Sequence, residues 1–266
     1  PCHKIFKEHL PETGGLSLWE VLAQTGIPET GPYRPAAPLA IHDPCTSRGM
    51  PAVQAAVRQL VTCLSASTEE LELGREHTEC CGFGGLMQNA NPDLARTVTE
   101  TRSRRSESDY LAYCAMCRDN LASVGKRTLH LLDLMLPDPK IADPAARPRP
   151  GWSRRRENRQ QLKIDLLCQV WNETVDEDAA PNQAMMLSIE PEVALILESR
   201  RILEENLRQV IRSAENGGDR FQHGDSGHFL GMRRLGNATF WVVYSPAESG
   251  FVVHNAYAHR MEVMGP

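Results

Sequence analysis

The sequence predicts an α/β domain of short parallel strands and helices, followed by a smaller α+β domain with a long helix and a β-hairpin. Three observations predict it. Two short apolar runs, Leu39-Ala40-Ile41-His42 and Tyr110-Leu111-Ala112-Tyr113, each lead into a cysteine and then into a helical segment. A stretch dense in Pro (137, 139, 144, 148 and 150) then interrupts regular structure. Beyond it, a helix-periodic segment is followed by two β-branched and aromatic runs.

The elements follow in order. Cys2 is followed fourteen residues later by Leu16-Ser17-Leu18-Trp19-Glu20-Val21-Leu22, and Cys117 twelve residues later by Leu129-His130-Leu131-Leu132-Asp133-Leu134-Met135. Each reads as a cysteine, a short polar helix, a loop and an apolar run with one acid, the signature of an internal repeat. Residues 1–27 are then the tail of an upstream repeat and 39–136 a complete one, together a cysteine-rich domain over 1–136. On this reading Cys2 is a ligand only alongside an upstream half, and a chain opening on Pro fits a piece of a longer protein.

Within the complete repeat, Val53, Val57, Leu60, Val61 and Leu64 define a helix over 51–64. Asn91-Pro92-Asp93 starts another, running to about residue 105, and residues 118–124 start a third. Cys45 and Cys114 thus fall between the carboxyl end of a strand and a helix, where ligands bind in open α/β sheets and helix N-termini face anions.

Residues 137–156 read as a Pro/Arg linker, closed by the basic run Arg154-Arg155-Arg156. The α+β domain over 157–266 carries one helix over 192–214, ended by Gly217-Gly218. Its hairpin joins residues 238–244 and 250–257 through a turn of five or six residues, and the tail as a whole reads as a docking element.

Five cysteines carry the chemistry. Cys45 is separated by 34 residues from the adjacent pair Cys80 and Cys81, and that pair by 32 from the C-x-x-C of Cys114 and Cys117. Neighbouring Cα atoms are about 3.8 Å apart, so a vicinal pair strains any disulfide it closes on itself. Grouped thiolates instead point to an iron–sulfur centre or zinc. Four thiolates satisfy tetrahedral zinc, whereas a fifth is of use to an unusual cluster. Gly82, Gly84 and Gly85 allow the close backbone approach a loop around such a centre needs.

Composition bounds the remaining classes. A net charge of −5 gives no footprint for nucleic acid, and no apolar run reaches the roughly 18 residues of a membrane span. Eight clustered cysteines in 266 residues fit a reduced, cytoplasmic setting better than a disulfide framework. The sequence carries no P-loop, no G-x-G-x-x-G after a strand and no Ser–His–Asp signature.

With His42-Asp43-Pro44-Cys45, Cys80-Cys81-Gly82-Phe83-Gly84-Gly85 and Cys114-Ala115-Met116-Cys117 in hand, residues 1–136 resemble the cysteine-rich CCG domain. That domain occurs in the B-type subunit of heterodisulfide reductase and in the iron–sulfur subunits of glycolate and lactate oxidation systems. The resemblance implies a [4Fe–4S] cluster, non-cubane or related, at Cys45, Cys80, Cys81, Cys114 and Cys117. It implies an oxidoreductase module that reduces a disulfide-type substrate or relays electrons onward, with zinc as the alternative occupant. FAD or NAD would then sit on a partner or a missing segment, and the partner would be a redox protein of flavin or ferredoxin type. The 32-residue gap is slightly shorter than the family's, and only one motif is complete. The tail, through Gly227-His228-Phe229 and residues 254–260, resembles a segment fused after such domains in large anaerobic flavin and iron–sulfur oxidoreductases.

Other candidates read mainly as structure. Cys63 and Cys168 are expected in the core, and Arg102–Arg105 and Arg154–Arg156 on solvated faces. His42 precedes the first ligand and either tunes the centre by hydrogen bonding or is a satisfied strand histidine. His223 and His228 flank the 224–227 loop, which either holds a metal or simply turns, whereas His254 and His259, five apart, face opposite sides of a regular strand.

Overall fold

A computed structural model describes residues 2–28, 31, 33–174 and 185–261. The side chain of Cys2, a conditional ligand above, lies outside the described residues. The chain divides into two compact units, Pro1–Arg149 and Pro150–Pro266.

The first unit is α/β. Its helices are α1 (Cys2–His9), α2 (Leu18–Thr25), α3 (Pro51–Cys63), α4 (Met87–Ala90), α5 (Pro92–Ser103), α6 (Ala115–Ala122) and α7 (Leu131–Met135). Its strands are β1 (Leu39–His42), β2 (Thr68–Glu70), β3 (Tyr110–Ala112) and β4 (Thr128–His130). All pair in parallel in the order β2-β1-β3-β4, with His42 opposite Ala112 and Ala112 opposite His130. Every residue of β1 and β3 is buried, which is why both read as unbroken apolar runs instead of alternating ones. The order reverses between β1 and β3: β1 continues to β2 on one side, and the chain then crosses to β3 on the other.

Helix α3 buries Val53, Val57, Leu60 and Val61 against Leu39, Ile41, Leu111 and Leu129. Each such side chain contributes about 1.5–3 kcal/mol on burial. Cys63 does not join them. It lies at the solvent edge of the stripe and is exposed, correcting its assignment to the core.

The two halves of the inferred repeat share one local device. Ser17 and Glu20 close a capping box at α2, and His130 and Asp133 close one at α7. The acid of each run is thus the residue that accepts the N-cap amide, at 2.9 Å for Ser17 and 2.8 Å for His130.

The Pro-rich stretch is not extended throughout. Asp143 caps a short 3-10 turn at Pro144–Ala146, and the buried Arg118 guanidinium donates to the carbonyls of Arg147 and Pro148. Trp152 already opens the next helix, which shortens the expected linker.

The second unit is α+β: α8 (Trp152–Gln169), α9 (Pro191–Arg200) and α10 (Glu204–Glu215) accompany a five-stranded sheet. The strands β5 (Leu187–Ile189), β6 (Arg220–Gln222), β7 (Phe229–Leu235), β8 (Ala238–Ala247) and β9 (Gly250–His259) lie in the order β5-β9-β8-β7-β6. The single helix expected over 192–214 is two. Arg201 adopts left-handed backbone (φ 56°) at the end of α9, and buried Ile202 redirects the chain. The hairpin turn is also tighter than expected: β8 and β9 pair out to Ala247 opposite Gly250, leaving Glu248 and Ser249 between them. Helix α10 packs Leu207, Val210, Ile211 and Ala214 on Val242 and Tyr244. No residue of α8 is buried, so Cys168 is exposed and not in the core. Among the described residues, no helix is long and apolar enough to cross a membrane.

Candidate metal centre

The carboxyl ends of β1 and β3 adjoin where the strand order reverses, the position at which open α/β sheets bind ligands. Three loops converge there. Asp43 leaves β1 and leads through Pro44 into a 3-10 turn at Cys45–Ser47. Tyr113 leaves β3, and Cys114 stands at the N-cap of α6 with Cys117 inside its first turn. The third loop carries Thr78, Cys80 and Cys81.

One buried carboxylate ties these loops together. Asp43 is fully buried and accepts the Tyr113 hydroxyl at 2.6 Å, the Arg75 amide at 2.7 Å and the Arg58 guanidinium at 2.6 and 2.9 Å. Its backbone carbonyl accepts the Thr78 hydroxyl at 2.6 Å. Burial pushes its carboxyl up, but Arg58, Tyr113 and the Arg75 amide outweigh this and hold it below the usual carboxylate range. The Tyr113 hydroxyl, itself pushed up by burial and the Asp43 charge, also meets Ser47 Oγ at 2.9 Å.

Four of the five predicted cysteines form a connected set. Cys81 lies at its middle, held low by hydrogen bonds from the Cys117 and Cys80 thiols, against burial, with His42 and the Phe83 amide adding to the effect. Cys117 and Cys80 are correspondingly pushed up, Cys117 by its bonds to Cys114 and Cys81, Cys80 by its bond to Cys81. Cys114 is pushed down to about 6 by its bond from Cys117, against burial, with help from the Cys117 and Met116 amides. One nitrogen of His42 and the sulfurs of Cys81 and Cys117 lie within 4.8 Å of one another. Cys45, Cys80 and Cys114 join no group this tight; Cys45 is half-buried on the adjoining loop.

The backbone explains the glycines. Gly82 has φ +86°, and a Cβ there would stand 2.2 Å from Thr99 Oγ1 and 2.6 Å from the Ala95 carbonyl oxygen. The loop is therefore pressed onto α5, where Thr99 donates to the Cys81 carbonyl at 2.9 Å and Asn120 joins it. The Gly82 amide reaches Cys80 Sγ at 3.4 Å, and a Cβ on Gly84 would stand 3.2 Å from that sulfur.

His42 and Arg102 complete the inner layer. Both are buried, and Arg102 Nε donates to His42 Nδ1 at 3.0 Å. Arg102 Nη1 reaches the Leu73 carbonyl at 2.9 Å and Glu79 at 3.3 Å. Burial, and then the Arg102 charge, hold the His42 imidazole below its ordinary value, while Cys81 opposes them. Arg102 corrects the sequence reading, which placed it on a solvated face; its partner lies 60 residues away and leaves no local signal.

The residues fit a sulfur-ligated anionic centre. The donors are soft thiols, backbone N–H groups lower the Cys80, Cys81 and Cys114 thiols, and two buried nitrogens, His42 Nε2 and Arg102 Nη2, have no hydrogen-bond partner.

The histidines of the second unit do not assemble. His228 and His254 stack at 3.9 Å, and His254 Nε2 meets Ser245 Oγ at 2.8 Å. His259 Nε2 accepts Trp241 Nε1 at 2.9 Å, and the 224–227 loop closes as a turn through the Gly227 amide and the His223 carbonyl. Among the described residues they form no metal-sized group of three donors. No protein-family model matches the chain, and comparison with curated proteins and with solved structures gives no match.

Proposed function

We propose that the chain is an iron–sulfur redox module of an oxidoreductase resembling heterodisulfide reductase, with Cys45, Cys80, Cys81, Cys114 and Cys117 holding a [4Fe–4S] cluster. The observation that carries this reading is the meeting of the Cys81 and Cys117 sulfurs with His42 within 4.8 Å at the strand-order reversal, with the Gly82 amide on the adjacent Cys80 sulfur. When bound, such a group exchanges single electrons with a partner, and its environment sets the potential.

The chain's own residues supply the setting. The Gly82 and Gly84 amides favour a thiolate at Cys80, the Phe83 amide one at Cys81, and the Met116 and Cys117 amides one at Cys114. Asp43 fixes the three loops at their roots. Reduction of a disulfide takes two electrons and two protons and gives two thiols. The electrons would come from a flavin- or ferredoxin-type centre on a partner or on a missing segment. A cytoplasmic setting agrees with free thiols at this density.

Zinc is the second reading, favoured by the four thiols of Cys80, Cys81, Cys114 and Cys117, the number that tetrahedral zinc takes. Iron, acid-labile sulfide and zinc per chain, measured on protein made without oxygen, separate the two. About four irons with matching sulfide support the redox reading. One zinc without sulfide replaces it with a structural site.

A further inference from the structure

His42 sits at the meeting of two chemistries. A buried histidine beside two thiols can ligate a metal through an unprotonated nitrogen or donate an N–H to sulfur, and it cannot do both with one nitrogen. The ring has two nitrogens, and the structure assigns one of them. Nδ1 lies 3.0 Å from Arg102 Nε, and a guanidinium nitrogen is only a donor. Nδ1 must therefore be the acceptor, so the ring proton stands on Nε2. Nε2 is buried, lacks a hydrogen-bond partner, and is the nitrogen left to face Cys81 and Cys117.

Arg102 is itself held from several sides. Its side chain is 1% exposed, its Nη1 binds the Leu73 carbonyl and Glu79, and its backbone carbonyl accepts the Tyr110 hydroxyl at 2.8 Å. It cannot turn away from His42 without stranding the Leu73 carbonyl and Glu79. A histidine that serves as a metal ligand usually has a carboxylate or carbonyl accepting from its second nitrogen, which places the proton there. Arg102 does the reverse.

We propose that Arg102 is a positioning residue that fixes His42 in the Nε2–H tautomer, so that His42 serves the sulfur centre as a hydrogen-bond donor and not as a ligand. The tautomer stands on the geometry of the metal-free chain. Its effect on a potential rests on the iron–sulfur reading. Donation to a cluster sulfur stabilises the more negatively charged, reduced state and so raises the potential. The chemistry also removes His42 from the zinc donor set, leaving the cysteines to supply every ligand.

Two measurements test it separately. Nitrogen-15 NMR of the histidines in the full, metal-free chain reads the tautomer directly. The expected result is a His42 ring protonated at Nε2 alone in the parent and in Arg102→Lys, and a mixture of tautomers in Arg102→Leu. A proton on Nδ1 in the parent overturns the proposal, whether or not any variant folds. So does a single tautomer unchanged in a folded Arg102→Leu protein. On chain loaded with iron and sulfide, the midpoint potential is expected to shift negative in His42→Leu and in Arg102→Leu, and to return toward the parent value in Arg102→Lys. Equal potentials in the parent and in His42→Leu at equal iron content overturn the donor role. A chain that takes up no iron defeats the cluster reading while leaving the tautomer result to stand or fall by itself.

Discussion

The Tyr113 hydroxyl donates to the buried Asp43 carboxylate at 2.6 Å, joining the loop before Cys45 to the loop before Cys114. Tyr113→Phe removes one of several donors to that charge and is expected to cost about 1.5–3 kcal/mol, read by chemical denaturation of the metal-free chain. Asp43→Ala leaves the Arg58 cation with Glu70 and the Gln54 carbonyl, and an expected loss of about 3–5 kcal/mol, with thiol clustering lost as well.

Acid should expose the same hub. The folded Asp43 pKa is depressed, so its contribution to stability is complete above the unfolded value of about 3.9 and is lost as pH falls through the folded value. Stability measured from pH 6 downward should therefore fall less steeply below about pH 4 in Asp43→Asn than in the parent. Identical slopes would remove Asp43 from the acid transition.

Gly82 and Gly85 both have positive φ but differ in surroundings. At Gly85 nothing stands within 4 Å of a new Cβ, so Gly85→Ala should cost only about 1–2 kcal/mol. At Gly82 the Cβ meets Thr99 and Ala95, and overpacking adds about 1–3 kcal/mol to the same backbone cost. Thermal denaturation of the two variants side by side tests the difference.

Cys114 offers a reactivity test. With its thiol pushed down to about 6, iodoacetamide labelling of the metal-free chain should reach half its maximal rate near that pH, mapped by peptide mass spectrometry. An ordinary cysteine reaches it near about 8.5. Loading the site should suppress the labelling.

Arg118 clamps the carbonyls of Thr128, Arg147 and Pro148. Arg118→Met should release residues 144–149, seen as faster amide exchange there with little change in α3.

The strands at Leu39 and Tyr110 and the helix over 51–64 were legible because burial on both faces writes continuous apolar runs, and Pro51 and Pro92 mark helix starts. The break between α9 and α10 left only a polar interruption at Arg200, because the left-handed turn sits on Arg201 instead of a glycine. Strand β7, Phe229–Leu235, went unread because its polar and apolar residues gain meaning only beside β8. At the candidate centre, spacing grouped the thiols, but Asp43, Thr99, Asn120 and Arg102 act on partners 15 to 70 residues away, beyond any local pattern.

Those separations set an order of assembly. The Asp43 carboxylate finds Arg58 after 15 residues, Arg75 after 32 and Tyr113 only after 70. Long-range closures of this kind come late in folding, because chain entropy is lost before they form. A growing chain therefore exposes Cys45, Cys80 and Cys81 well before Cys114 and Cys117 exist to meet them. The convergence of the thiols is therefore a closing event, and until it happens the vicinal pair stands open to oxidation.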